Sequence, residues 1–276
     1  MALQSPRFFS SKRLVNASNG IPLRQGAASG RAIHLVQMAL IDLGYLMPRS
    51  TGNPNYSPDG VFGNEMKATL IAFQKANPPL AQTGEIDRAT MLALDSKFRG
   101  YKHRVRLHFR SISLMNVPFS RSLADAEIVY GQYGIKAEFS SGMSLMLSAA
   151  EEAEFSEINS SCEWVITDGQ YLQLHGMGPS VPTTEVLVYY VQELVGPSGC
   201  GGHAVNRPAC TVDNDAFRWD TAHEVGHVLL TSTFSPVHIT DRRNLMFPTS
   251  NTTDMVPVLT DRQVAQIRNS PCCVSI

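Results

Sequence analysis

The chain has 276 residues, of which 43% are hydrophobic and 17% charged, enough to bury one large core or two ordinary ones. A formal net charge of -1 provides no general field to hold nucleic acid or an anionic membrane surface, so neither is expected as a partner. No apolar run approaches the length of a membrane span.

The opening stretch, MALQSPRFFSSKRLVNASNG, lacks the continuous apolar segment of a secretory signal, and residues 1–19 read as a tail. Such a chain stays inside the cell, leaves by a route that needs no signal of this kind, or has had its signal removed. The next segment is helical. In RAIHLVQMALIDLG, residues 31–44, Ile33, Val36, Leu40 and Leu43 share one stripe, and Gly44 suits the end of that helix. A polar loop, RSTGNPNYSP, separates it from a second stripe of Met66, Leu70 and Phe73, which Pro78-Pro79 terminate. Asp87 is placed to cap a third helix, with Met91 and Leu94 facing inward. The pattern predicts three short helices around a small core.

Residues 20–98 also carry, in order, Gln37, Leu40, Leu43-Gly44-Tyr45, Asp59-Gly60-Val61-Phe62-Gly63, Phe73-Gln74, and Gly84 with Asp87 and Thr90. In this the segment resembles the peptidoglycan-binding module found beside many cell-wall enzymes. The resemblance implies a helical fold and wall targeting through residues 20–98, an inert packing domain being the alternative. It also implies export to the periplasm, the cell wall or the exterior, with the chain cytoplasmic beforehand. Matrix-metalloprotease-like enzymes carry a similar bundle as a propeptide, in which a later cysteine blocks the zinc. No cysteine precedes Cys162 here, so that inhibition is not expected.

Residues 99–104 form a charged linker, and from 105 the pattern changes. VRLHFRSI alternates Val105, Leu107 and Phe109 with polar residues, as a half-buried strand does. SLADAEIVYGQYGI reads as a helix presenting Leu123, Ala126, Ile128 and Tyr130 and ended by Gly134; IKAEFS and EVLVYYVQEL read as strands. EVLVYYV is either the edge beside a cleft, open to pairing with an extended peptide, or an internal strand. The Gly-rich GPSGCGGHAVNRPACTVDN reads as a surface loop in which His203 is a solvent-exposed residue or a second metal ligand. The expected class for residues 105–276 is α+β, with a twisted mixed sheet and an active-site helix.

The five cysteines are Cys162, Cys200, Cys210, Cys272 and Cys273. Cys200 and Cys210 flank a short loop and suggest a local disulfide, with Cys162 then pairing to Cys272 or Cys273; five reduced thiols are the alternative. None has the paired spacing of a structural zinc module.

The chemistry is concentrated in HEVGH, residues 223–227. On a helix, positions four apart stack on one face, so His223 and His227 can converge on one ion, while Glu224 points off that line toward a metal-held water. A helix cannot close its own tetrahedral site, so the chain must turn back with a third ligand. TSTFSPVH supplies small polar residues, Pro236 and then His238, the expected third ligand, with Asp241 as the leading substitute.

From His238 the chain runs through ITDRRNLMFP to Met246 and Pro248. This resembles the metzincin peptidases, above all their matrixin branch, in which a methionine-containing turn lies beneath the zinc. The final LTDRQVAQIR resembles their closing helix, with Leu259, Val264 and Ile267 facing the core. The resemblance implies Zn2+ as cofactor, a protein or peptide substrate, and Glu224 as the general base that deprotonates a zinc-activated water. It also implies a packing role for Met246 and a pocket wall in TSNTTDMVPVL. One departure is Leu230, which replaces the family's glycine at the helix exit, so the turn is expected later, among residues 231–236. A zinc endopeptidase is the leading expectation. A stem-peptide hydrolase or antibacterial toxin, and a non-catalytic scaffold, are the others.

Overall fold

Apolar residues three and four apart build the first unit of the computed structural model, which describes residues 2–52, 57–112, 119–249 and 255–276. Five helices lie here: α1 (Lys12–Ser18), α2 (Arg31–Asp42), α3 (Pro48–Thr51), α4 (Asn64–Ala76) and α5 (Arg88–Lys97). Internal packing assigns to this unit the chain up to Tyr101, with Gly131–Gly134 and Thr260–Val264; the remainder forms the second unit. The expected stripes are fully buried: Ile33, Val36 and Leu40 on α2, Met66, Leu70 and Phe73 on α4, Met91 and Leu94 on α5. Leu43 is partly buried against them. Residues 1–19, expected as a tail, instead carry α1, and Phe8, Leu14 and Ala17 enter the same core. The loop residues 53–56 lie outside the described residues.

Two buried amides hold the turns of this unit. Gln37 donates to the Asp59 carboxylate at 2.8 Å and accepts from the Gly60 amide at 2.9 Å. Gln74 donates to Thr90 Oγ1 at 2.9 Å and to the Glu85 carbonyl at 3.0 Å, and accepts from the Gly84 amide at 2.9 Å. Gly60 and Gly84 have φ of 69° and 65°, a backbone region open to glycine without strain. Asp87 caps α5 as expected, accepting from the Thr90 amide at 2.8 Å.

The second unit is α+β. Its strands are β1 (His103–Ser111), β2 (Ile135–Ser144), β3 (Val186–Val191), β4 (Gly199–Cys200), β5 (Ala209–Asp213) and β6 (Val274–Ser275). They form a mixed sheet in the order β2-β1-β3-β5-β4, with β6 pairing antiparallel to β1. β2, β1, β3 and β5 run parallel to one another, while β4 runs antiparallel to β5 at the edge. Helix α6 (Phe119–Gly131) connects β1 to β2, and α7 (Ala149–Glu154) and α8 (Gly169–His175) precede β3. Ala126, Val129 and Tyr130 are buried apolar residues of α6, while Leu123 and Ile128 are only partly covered. Helix α9 (Asp220–Leu230) follows β5, and α10 (Asp261–Arg268) buries Val264 and Ile267.

Two expectations are corrected here, and the open choice between an edge and an internal position for VLVYYV is decided. VLVYYV is internal, between β1 and β5, and every one of its residues is buried. A parallel strand covered on both faces reads as one continuous apolar run, which explains the pattern without an edge. The Gly-rich stretch is a surface loop only in part: Val205, Asn206 and Arg207 are exposed, but the stretch also contains β4 and β5 and buries Cys200 and Cys210. The disulfide joins Cys162 to Cys200, with Cα atoms 5.7 Å apart, and leaves Cys210, Cys272 and Cys273 as buried thiols. Cys200 lies opposite Thr211, so Cys210, one residue along, turns to the other face of the sheet.

Candidate metal centre

Helix α9 begins immediately after Trp219. Asp220 lies in its first turn, with its carboxylate accepting from the Phe217 amide at 3.0 Å. Ala222, Val225, Val228 and Leu229 are buried, which fixes the rotation of the helix and leaves one face to the cleft. His223 and His227 sit one turn apart on that face. The helix ends at Leu230, and Thr231 follows at φ 65°, ψ 164°. The exit turn therefore comes at the first position of the expected window. A β-branched residue reaches this backbone region only against strain of order 1–3 kcal/mol.

After the turn the chain returns and brings His238 to the helix. His227 Nε2 lies 3.0 Å from His223 Nε2 and 3.1 Å from His238 Nε2. The ligand atoms of all three lie within 4.8 Å of one another. Nitrogens about 2.0–2.1 Å from one tetrahedral zinc stand roughly 3.3 Å apart, so the group fits a metal of that kind. Asp241 is engaged elsewhere, paired with Arg243 at 2.9 Å. His203 faces its own chain, with Nδ1 2.9 Å from the Ala204 carbonyl, and is no member of the group.

The protonation pattern also fits. His223 Nδ1 lies 2.7 Å from the Leu245 carbonyl, which can only accept, so Nδ1 carries the proton and Nε2 presents a lone pair. Burial pulls the pKa of His227 down to about 2 and that of His223 to about 4, with neighbouring imidazoles adding in the same direction. Burial also lowers His238. Three neutral imidazoles facing one point repel a proton and suit a cation. Beside them Glu224 is 6% exposed, and its carboxylate has no hydrogen-bond partner among the described residues. Burial pushes its pKa well up, and the charge of Asp220 adds to this. A divalent cation nearby acts in the opposite sense and favours the carboxylate.

The backbone beneath is shaped by glycines whose role was not read from the sequence. A Cβ on Gly201 would run into His227, and one on Gly199 would run into the Glu224 side chain. A Cβ on Gly226 would meet Met246 Sδ at 2.7 Å. Met246 is fully buried, as expected of a packing floor, and its carbonyl accepts from the Ile239 amide at 3.1 Å, next to His238. Trp164 was also missed; its ring stands edge-on to His227 with centroids 5.4 Å apart. The Cys162–Cys200 disulfide ties that segment to β4. The glycine pattern GCGG and the glycine inside HEVGH were the available signals; nothing local marked Trp164.

These residues open on a cleft of about 630 Å³, lined by Trp164, Phe217, Glu224 and the three histidines among others. No lysine or arginine is among the described lining residues. Pro248 and Thr249 also line it, while residues 250–254 of the expected pocket wall lie outside the described residues.

A mixed sheet with a three-imidazole group and a buried glutamate on the helix that follows it defines a candidate metal centre beside a substrate-sized cleft. Comparison with known proteins adds a family match in the first unit. Residues 29–94 match the family described as "Putative peptidoglycan binding domain". Among solved structures, the chain is similar to archaemetzincin (amzA) from Methanopyrus kandleri at 16% identity and a TM-score of 0.38, over 60% of this chain and 94% of that one. It is also similar to metalloproteinase-II from Bacteroides fragilis at 9% identity and a TM-score of 0.41, over 62% of this chain and 53% of that one. No curated protein matches the chain.

Proposed function

We propose that the chain is a zinc-dependent metalloendopeptidase, with residues 105–276 as its peptidase domain. Residues 20–98 bring it to peptidoglycan, and the linker, expected over residues 99–104, ends before His103, where β1 begins. The observation that carries the reading is the convergence of three imidazole Nε2 atoms beside the buried Glu224, whose carboxylate has no hydrogen-bond partner among the described residues. His223, His227 and His238 would hold Zn2+. Bound there, zinc supplies a Lewis acid that acidifies water and polarises a peptide carbonyl.

The remaining roles belong to the chain. Glu224 takes the proton of the attacking water on its carboxylate and delivers it to the departing amine. The Leu245 carbonyl holds the proton of His223 on Nδ1 and keeps Nε2 turned to the metal. With β3 internal, the edge available to an extended peptide is β4, whose Gly199 lines the cleft. Main-chain pairing there lays a substrate across Glu224 with little demand on its side chains.

The peptidoglycan-binding match favours a second reading of the same chemistry, in which the substrate is the stem peptide of the wall itself and the protein is a wall hydrolase or secreted antibacterial toxin. Either reading would put the protein at the cell wall or outside the cell. Chelation tests both against a non-catalytic scaffold. Hydrolysis of protein or of sacculi is expected to stop with a chelator and return with zinc. Turnover that survives chelation contradicts the metal reading.

A further inference from the structure

The Cys162–Cys200 disulfide lies in the wall of the metal cleft itself. Cys162 lines the cleft two residues before Trp164, whose ring stands against His227. Cys200 stands on β4 between Gly199 and Gly201, the two positions at which a Cβ would run into Glu224 and His227. The bond therefore joins the strand that packs on Glu224 and His227 to the segment that covers His227.

Little else holds that segment at its middle. Its ends are tied by main-chain bridges. Ile158 lies beside Leu194, its amide donating to the Glu193 carbonyl at 3.0 Å, and Val165 lies beside His203, whose carbonyl accepts from the Ile166 amide at 3.1 Å. Between them the Asn159 amide donates to Gln170 Oε1 at 2.8 Å, whereas Ser161, Cys162 and Glu163 make no hydrogen bond among the described residues. The Glu163 backbone packs flush on Gly202, where a Cβ would run into its carbonyl. At the centre of the segment the disulfide is the tie.

The two sulfurs differ in access. Cys162 is exposed and Cys200 is 1% exposed, so an external thiolate reaches Cys162. The other three cysteines are buried. Burial pushes Cys272 up to about 11, Cys273 up to about 12 and Cys210 well above the usual thiol range. They stay protonated near neutral pH, and Cys210 faces the other side of the sheet, so exchange is kept to one pair.

We propose that Cys162–Cys200 is a reversible thiol-exchange site that turns the peptidase on when bonded and off when reduced. The inference rests on the metallopeptidase reading above. A thiolate attacks Cys162 Sγ, the S–S bond breaks, and Cys200 leaves as a thiolate. A second thiolate attacks the reductant's sulfur in the mixed disulfide and releases Cys162. Two thiols thus become one disulfide, two electrons pass to the protein, and the thiols' protons end on the two cysteines. An acceptor disulfide runs the same steps backwards. Once the bond is cut, residues 161–164 move off β4, and Trp164 no longer holds the wall beside His227. The three histidines belong to α9 and to the chain returning after it, so zinc binding survives while the positioning of substrate is lost. Hydrolysis is then confined to oxidising surroundings, where such bonds persist.

The test is hydrolysis of a cysteine-free unfolded protein mixed with sacculi by the full zinc-loaded chain, across a series of reduced-to-oxidised glutathione ratios. Zinc is counted by elemental analysis, folding is followed by far-ultraviolet circular dichroism, and differential alkylation identifies the cysteines that titrate. The reduced chain is expected to lose about tenfold or more in kcat/KM, to keep one zinc and to recover on reoxidation, with Cys162 and Cys200 as the titrating pair. Trp164→Ala reads the wall without breaking the bond; it is expected to lose a similar factor when oxidised and to respond little to reduction. Equal hydrolysis in both states, or full activity in Trp164→Ala, would overturn the gate and leave the peptidase reading standing. Loss of zinc or of the fold together with activity would also overturn it, by making the bond a structural staple. No hydrolysis by the bonded, zinc-loaded chain would remove the peptidase reading itself, and the gate with it.

Discussion

Two places in the molecule, one in each unit, treat buried polar groups in opposite ways. In the first, Gln37 and Gln74 are fully buried and spend both ends of their amides on neighbouring turns. In the second, Glu224 is nearly as buried and has no hydrogen-bond partner among the described residues, while His227 Nε2 stands 3.0–3.1 Å from Nε2 of His223 and His238. Satisfied polar groups fix a fold, whereas a group buried against its own solvation and left open costs stability and marks a place where something else is to bind. By that measure the turns held by Gln37 and Gln74 are finished and the metal cleft is not.

Substitutions can break or sharpen this contrast. The largest effect is expected at the metal group. His223→Ala or His227→Ala should abolish stoichiometric zinc binding, read by elemental analysis, and lose hydrolysis with it. Retention of one zinc per chain in either variant would place the metal elsewhere. Next comes the scaffold. Gln74→Leu removes the acceptor of the buried Gly84 amide, and a loss of about 1–3 kcal/mol is expected in urea unfolding. The matching change in the cleft should act in the other direction. In metal-free protein, Glu224→Gln is expected to raise stability by about 1 kcal/mol, because it removes a carboxyl that burial penalises. A loss there as large as at Gln74 would erase the distinction between the units. Among the smallest effects, Asp87→Ala should cost about 1 kcal/mol, the worth of one helix cap, with zinc binding unchanged.

How much of this was legible follows from the range of each signal. The stripes on α2, α4 and α5 and the cap at Asp87 are local patterns and were readable directly. The same holds for His223, Glu224 and His227, which one helix presents together. His238 was also within reach, because one helix cannot close a tetrahedral site and a third donor has to return from beyond its end. Helix α1 was not: Phe8, Leu14 and Ala17 are too few to make a stripe, and only the finished core shows that they belong to it. β4 is two residues long, too short for any alternation, and its glycines read as loop until Glu224 and His227 are seen packed over them. The internal position of β3 and the Cys162–Cys200 pairing depend on strand order, which no local pattern contains. The proton on His223 depends on a carbonyl 22 residues away.

The central claim is that Glu224, beside a three-histidine metal group, hydrolyses peptide bonds. The most direct measurement is mass spectrometry of the products formed by the zinc-loaded chain from an unfolded protein mixed with purified peptidoglycan sacculi, with Glu224→Ala as control. The account predicts new peptide termini with the wild-type chain and a rate roughly 10²–10⁴-fold lower in the variant, which should still bind zinc. Termini in the protein support the endopeptidase reading, and termini in stem peptides make the wall the substrate. Equal product from the Glu224→Ala chain, or none from a wild-type chain shown to hold zinc, would contradict it.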